Sequence, residues 1–222
     1  LDSMGILNIH AKELRRVQER IVKMNTIQPK PVGKGIFKAG GLTFCNHAVF
    51  LTIRAVDKNY LDFTDQYDAP IDKNYKNYDK EYLYKESSYW CVVLKKQAAN
   101  PESGITELFT CNDILKKANM GYVVIVAWEN IYNGSDGAPH YATVQPNQKD
   151  VNRIENILLC NVGASVGMNI PISQGFLNKP ISELHFYYDM KQKNGFREDY
   201  KCSGGLSASI EDLEKRDGKI DE

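Results

Sequence analysis

The segment Gly41–Val56, GLTFCNHAVFLTIRAV, is apolar almost all round. A helix without a polar face has to be covered on nearly every side, so the rest of the chain must build a core around it. Gly40 and Gly41 precede it, and Thr43 is the natural N-cap, because its hydroxyl can accept from an amide of the first turn. Cys45 then falls within that turn, among N–H groups that lack an intrahelical acceptor and at the positive end of the helix dipole. A thiolate is favoured there, which turns a buried thiol into a nucleophile. The same cysteine also reads as a small core residue, and the downstream sequence has to separate the two.

Residues 9–24, IHAKELRRVQERIVKM, place Leu14, Val17 and Ile21 at helical spacing among charges, the pattern of a surface helix with one buried stripe. A Pro/Gly-rich connector, IQPKPVGKGIFKAGG, follows. Residues 57–90 hold seven tyrosines (60, 67, 75, 78, 82, 84 and 89) among many Asp and Lys residues, with few aliphatics. Such a stretch cannot form a core by itself and reads as a long excursion over the surface. Its tyrosines either line a substrate groove or fasten the excursion to the body. Asp62, Asp65 and Asp68 lack calcium-loop spacing.

Further on, residues 87–99 are ambiguous between helix and strand. TCNDILKKANMG predicts a helix capped near Thr110 or Asn112 and closed by Gly121. GYVVIVAW predicts a buried strand. HYATVQ, ENILLCNV and ELHFYY are three more strand candidates, the last two separated by the Gly/Pro-punctuated loop GASVGMNIPISQGFLNKP. Beyond residue 189 the chain is polar, with a frayed or disordered end. This order predicts an α+β domain whose cysteine helix packs on a mostly antiparallel sheet. The expected divisions are an N-terminal helix and connector over 1–40, a main domain over 41–190 and a polar tail over 191–222.

At 222 residues the chain suffices for one well-buried domain. Its 28 basic and 28 acidic residues cancel, so no bulk charge draws it to nucleic acid or acidic lipid. No apolar run reaches the roughly 20 residues of a membrane span. The start, LDSMG, lacks the basic and apolar regions of a signal peptide. Leu1–Ser3 as a cloning scar before Met4, and as the remnant of a removed leader, are both open. Five cysteines, the closest two 20 residues apart, form no CxxC pair, which argues against a zinc site or disulfide framework. Oligomeric state is not legible.

A cysteine nucleophile needs a base, and the base needs an orienting group. Of the four histidines, His10 lies on the N-terminal helix and His47 points to a different helix face from Cys45. His185 sits inside an aromatic strand. His140 opens a strand directly after a Gly/Asp/Pro loop, at the rim of the sheet, where an imidazole would meet a cleft. Ala142 and Val144 share its face and leave room for a helix beside the ring. On the next strand Ile157, Leu159 and Asn161 share a face. Asn161 reads in two ways: as the partner of an imidazole N–H, or as the start of the turn before Gly163.

At these residues the chain resembles papain-like cell-wall hydrolases of the CHAP and NlpC type, phage endolysins among them. The T-F-C-N-x-A block over residues 43–48 looks like their nucleophile helix. CNDILKKANMGYVVIVAW followed by PHYATVQPN is similar to their succession of helix, glycine, apolar strand and H-x-A-x-V-x-P. ILLCNVGAS is similar to their next strand, which ends near a glycine. The motifs are short, run in the right order and span about residues 41–190. Pro139 stands where a glycine usually precedes the histidine, and the orienting residue varies among these families.

The resemblance implies a papain-like fold, with Cys45 as nucleophile, His140 as base and Asn161 as orienting residue. The Cys45 backbone N–H would serve the oxyanion hole, with Asn46 a possible second contributor. It further implies hydrolysis of a peptidoglycan amide through a thioester at the bacterial cell wall, without metal or organic cofactor. Trp128 and Tyr141, near the His140 rim, would then line a groove for peptide and sugar. Two other classes stay open. The same Cys–His pair can serve proteolysis, deamidation or acyl transfer on a protein, and a non-catalytic glycan- or protein-binding module would make Cys45 structural. A zinc site from Cys45, His47 and His140 lacks a fourth ligand at a recognisable spacing.

Overall fold

The computed structural model of the chain describes residues 2–26, 38–39, 42–43, 45–57, 91, 93–128, 139–163 and 165–193. The tyrosine-rich excursion beyond Asp57 and the polar tail beyond Lys193 lie outside the described residues. Helix α1 spans Asp2–Thr26 and buries Ala11, Leu14, Val17, Gln18 and Ile21 along one stripe. A two-stranded hairpin, β1 (Lys38–Ala39) and β2 (Leu42–Thr43), leads into α2, Cys45–Val56. Thr43 is paired with Lys38 in that hairpin, and the helix opens with Cys45 itself. Thr43 is therefore a strand residue rather than the expected N-cap, while Cys45 keeps its place in the first turn. Residues 93–98 are helical and form α3.

The remaining described elements are β3 (Ile105–Leu108), α4 (Cys111–Asn119), β4 (Ile125–Trp128), β5 (His140–Val144), β6 (Leu158–Val162), β7 (Val166–Pro171), α5 (Ile172–Gly175) and β8 (Leu184–Asp189). The six strands β3 to β8 form one sheet in the order β3-β8-β4-β5-β6-β7, and each neighbouring pair is antiparallel. The protein is thus a mixed α+β structure of helices on an antiparallel sheet. Among the described residues no helix is long and apolar enough to cross a membrane.

Local chemistry accounts for the ends of α4. Thr110 Oγ1 accepts from the Asp113 N–H at 3.1 Å, and Asp113 also stands in the first turn, where the helix dipole favours a carboxylate. At the other end Gly121 takes φ +89°, a left-handed conformation that ends the helix. A Cβ at Gly121 would also stand 2.5 Å from His10 Cβ, so the glycine lets α1 approach.

Two apolar layers cover the sheet. On one face Leu14, Val17 and Ile21 of α1, Ala48, Val49 and Val56 of α2 and Val93 and Leu94 of α3 pack with Ile125, Ala127, Tyr141 and Tyr187. On the other, Ile114, Leu115 and Ala118 of α4 and Ile172 and Phe176 pack with Val126, Ala142, Val144, Leu159 and Phe186. The cysteine helix therefore lies on the Tyr141 face of β5. The expected gap beside Ala142 and Val144 is filled by α4 and α5 instead, because alternate strand residues face opposite layers.

The N-terminal helix is, as its pattern predicts, a surface helix with one buried stripe, and that stripe is a full member of the core. Gln18 Nε2 donates to Thr143 Oγ1 at 2.9 Å and to the Val144 carbonyl at 3.0 Å, and Gln18 is wholly buried. The Cys160 thiol donates to the Gln18 carbonyl at 3.6 Å, which ties α1 to β6 as well. Leu14→Ala and Ile21→Ala should each destabilise the fold by about 2–5 kcal/mol in urea denaturation. A helix resting loosely on the surface would give less than about 0.5 kcal/mol.

Candidate active site

Cys45, His140 and Asn161 lie together at one rim of the sheet. Cys45 is the first residue of α2, His140 the first of β5, and Asn161 stands late in the neighbouring strand β6. The His140 Nε2 and Asn161 Oδ1 atoms are 2.8 Å apart. The direction of that hydrogen bond follows from the other end of the amide. Asn161 Nδ2 donates to the Ser165 carbonyl at 2.5 Å, which turns Oδ1, an acceptor only, toward the ring. His140 Nε2 must then carry the proton, and Nδ1 is left to face the Cys45 sulfur. Asn161 is fully buried and does not merely begin a turn, so the partner reading is the one its contacts support.

The ring is a hydrogen-bond partner of the Cys45 sulfur. As a thiol, Cys45 also reaches the Pro139 carbonyl at 3.9 Å, a long contact even for sulfur. Burial pushes the His140 pKa down. The negative charge and hydrogen bond of Cys45, with the hydrogen bond of Asn161, outweigh burial and hold it above the ordinary imidazole value. These contacts favour the protonated imidazole beside the Cys45 sulfur. Because the folded pKa is raised, the pair's contribution to stability is complete below the unfolded value and is lost as pH rises through the folded one.

Two further contacts fix the ring, and an irregular stretch of sheet lies beside Asn161. Phe176 packs against it with centroids 4.8 Å apart. A Cβ at Gly163 would stand 2.6 Å from His140 Cε1, so only glycine lets β6 pass this close. The β6–β7 pairing shifts register between Leu159 and Asn161. Asn169, at φ +60°, occupies the irregular stretch of β7 opposite. Gln145 clamps it: Gln145 Oε1 accepts from the Asn169 N–H and Gln145 Nε2 donates to Asn169 Oδ1, both at 2.9 Å. Such bulges re-aim side chains beside sites. Phe176, Gln145 and Asn169 carry no sequence signal for this role, since their importance lies in contacts across strands.

The other expected site residues fall elsewhere. Tyr141 is wholly buried, and its hydroxyl accepts from the Cys91 N–H at 3.1 Å, with the Cys91 sulfur also 3.1 Å away. Burial and Cys91 push its phenol well above the usual range. Tyr141 therefore anchors α3 to β5 and presents no surface to a groove, as the face opposite to His140 dictates. Trp128 pairs with His140 across β4 and β5, so it is at the rim, but it is mostly buried. Its indole N–H donates to Glu183 Oε2 at 3.0 Å, and the Lys179 ammonium lies 4.4 Å above its ring. Asn46 follows Cys45 in α2, and its side chain, like that of His47, lies outside the described residues. His185 is engaged by Glu107 Oε1 at 2.6 Å. Among the described residues no three His, Cys, Asp or Glu side chains converge to hold a metal ion.

Compared with models of protein families, with curated proteins and with solved structures, the chain matches none.

Two substitutions test this geometry without a substrate. In Asn161→Ala the His140 imidazole loses a contact that raises its pKa, so its NMR titration should move to lower pH, and Cys45→Ala should move it the same way. An unchanged midpoint in both would mean that neither side chain meets the ring. Gly163→Ala should displace the ring at an overpacking cost of about 1–3 kcal/mol in denaturant unfolding. The His140 resonances should shift with it.

Proposed function

We propose that the protein is a cysteine-dependent amide hydrolase of the papain-like type, acting on the peptide part of peptidoglycan at the bacterial cell wall. The observation that carries the reading is the relay Cys45–His140–Asn161, in which an amide sealed at its far end sets the imidazole for a sulfur at a helix start. The order of the elements supports the papain-like assignment: a helix opened by the cysteine, an antiparallel sheet, the histidine at a strand start and the amide on the next strand. The choice of peptidoglycan rests on the motif resemblance in the same stretch.

The chemistry follows from the placement. The Cys45 thiolate attacks the amide carbonyl carbon, and charge develops on the carbonyl oxygen near the positive end of α2, with the Cys45 backbone N–H as its assigned donor. The tetrahedral adduct collapses as the C–N bond breaks. His140 gives its proton to the departing amine, leaving a thioester on Cys45. Water then adds to the thioester as His140 takes its proton. The C–S bond breaks, releasing the carboxylic acid and restoring the pair. Asn161 holds the ring so that one nitrogen serves both transfers, as in other cysteine or serine triads.

Digestion of purified peptidoglycan, read by mass spectrometry of the soluble fragments, tests the proposal. Native protein should release fragments whose masses name the bond. Cys45→Ala and His140→Ala should each lose on the order of a thousandfold or more in rate. If nothing is released while Cys45 alkylates much faster than Cys160, whose thiol is pushed up to about 12 by burial, the hydrolase mechanism stands with another amide as substrate. Sluggish alkylation of Cys45 as well would remove the catalytic reading and favour a binding module.

A further inference from the structure

Beside the relay, the turn after α5 carries a cation with no counterion among the described residues. Leu177 and Asn178 both take left-handed backbone, φ +50° and +55°, which Leu rarely adopts. The turn is nevertheless well bonded: the Asn178 N–H donates to the Ser173 carbonyl at 2.7 Å and the Lys179 N–H to that of Phe176 at 3.0 Å. Its effect is to bring Lys179 back over the Trp128 ring, 4.4 Å from ammonium to centroid. The ring is itself immobilised, since its N–H donates to Glu183. Among the described residues no carboxylate lies within ion-pair distance of the Lys179 ammonium, and it makes no hydrogen bond there. The Glu183 carboxylate is engaged by the indole.

The position of this cation relative to the relay is set by the sheet. Trp128 and His140 are directly paired across β4 and β5, so their side chains leave the same face as neighbours. Phe176, three residues before Lys179, is packed against the His140 ring. The ammonium therefore stands on the order of 10 Å from the imidazole, across one aromatic ring. A peptide that ran from Cys45 across the His140 ring toward β4 would bring a residue next to the scissile amide within reach of this cation.

We propose that Lys179, held on Trp128, is a specificity subsite for a carboxylate carried by the peptide next to the scissile amide. This rests on the amide-hydrolase reading and adds the class of substrate to it: an acidic peptide, in preference to its amidated counterpart. An ammonium can donate to either oxygen of a carboxylate but only to the single oxygen of a carboxamide, whose nitrogen is itself a donor, and only the carboxylate carries an opposite charge. The aromatic platform holds the cation partly desolvated, which strengthens its attraction for an anion.

The test uses binding in a protein that cannot turn over. In Cys45→Ala with Trp90→Phe, Trp128 is the single tryptophan, because the chain has two. Its fluorescence is followed on titration with N-acetyl-Ala-Glu-amide and N-acetyl-Ala-Gln-amide. The acidic peptide should bind roughly three- to tenfold more tightly, the preference weakening with salt. Adding Lys179→Ala should abolish the preference, and Lys179→Arg should keep it. Equal responses to the two peptides, or a preference that survives Lys179→Ala, would overturn the proposal. Because the readout needs no hydrolysis, a Lys179-dependent preference in a protein that cleaves no amide would sink the hydrolase reading and leave the subsite standing. Where hydrolysis is present, Lys179→Ala should raise KM for acidic fragments and leave kcat nearly unchanged.

Discussion

Burial of the Asn161 side chain is the constraint on which the site depends. An amide sealed from water has to pair both of its ends or lose the free energy of desolvation. The Ser165 carbonyl accepts from the nitrogen, and this leaves the oxygen to His140. One backbone carbonyl at the start of β7 thereby sets the tautomer of a ring two strands away. The irregular register between β6 and β7, clamped by Gln145 on Asn169, fits the same requirement, because it decides where Ser165 stands relative to Asn161.

The rim location resolves a geometric conflict. Cys45 belongs to the layer of α1, α2 and α3, whereas Ala142 and Val144, which share the His140 face, belong to the layer of α4 and α5. Within the sheet these layers are separated by a wall of backbone hydrogen bonds, and a sulfur on one side could not meet an imidazole on the other. His140 is the first residue of its strand and pairs with the last residue of β4, Trp128. There the wall ends, and a side chain aimed at one layer can contact the helix start of the other.

Most of the interior of the structure was legible in the sequence, and the losses have a common cause. The strands read from their apolar runs, β4, β5, β6 and β8, are the four central strands of the sheet. The two that gave no signal, β3 and β7, are its edges. Val166–Pro171 contains Gly167, Asn169 and Pro171 and is mostly half-buried, so it looks like a loop; an edge strand tolerates such residues because one side of it needs no ladder partner. The site was legible where identity and spacing sufficed, in a cysteine at a helix start, a histidine at a strand start and a polar residue on an apolar face. Tyr141 and Trp128 were legible as rim residues by number only. Tyr141 faces the opposite layer to His140 by simple alternation, and the cover over Trp128 comes from residues 179 and 183, more than fifty positions away.

Two cysteines show why burial by itself says little about reactivity. Cys45 and Cys160 are both 5 % exposed. Around Cys160 burial dominates, a hydrogen bond with Thr143 offsets it only partly, and the thiol is held neutral. Cys45 begins a helix and faces an imidazole whose own pKa is raised by the charge on the sulfur. The difference is therefore made by partners: a low-dielectric setting penalises a lone thiolate and strengthens the attraction within a thiolate–imidazolium pair. At His140 burial is the largest single influence and opposes the charged ring, yet the Cys45 and Asn161 contacts outweigh it, whereas the contact at Cys160 does not outweigh the burial of its thiol.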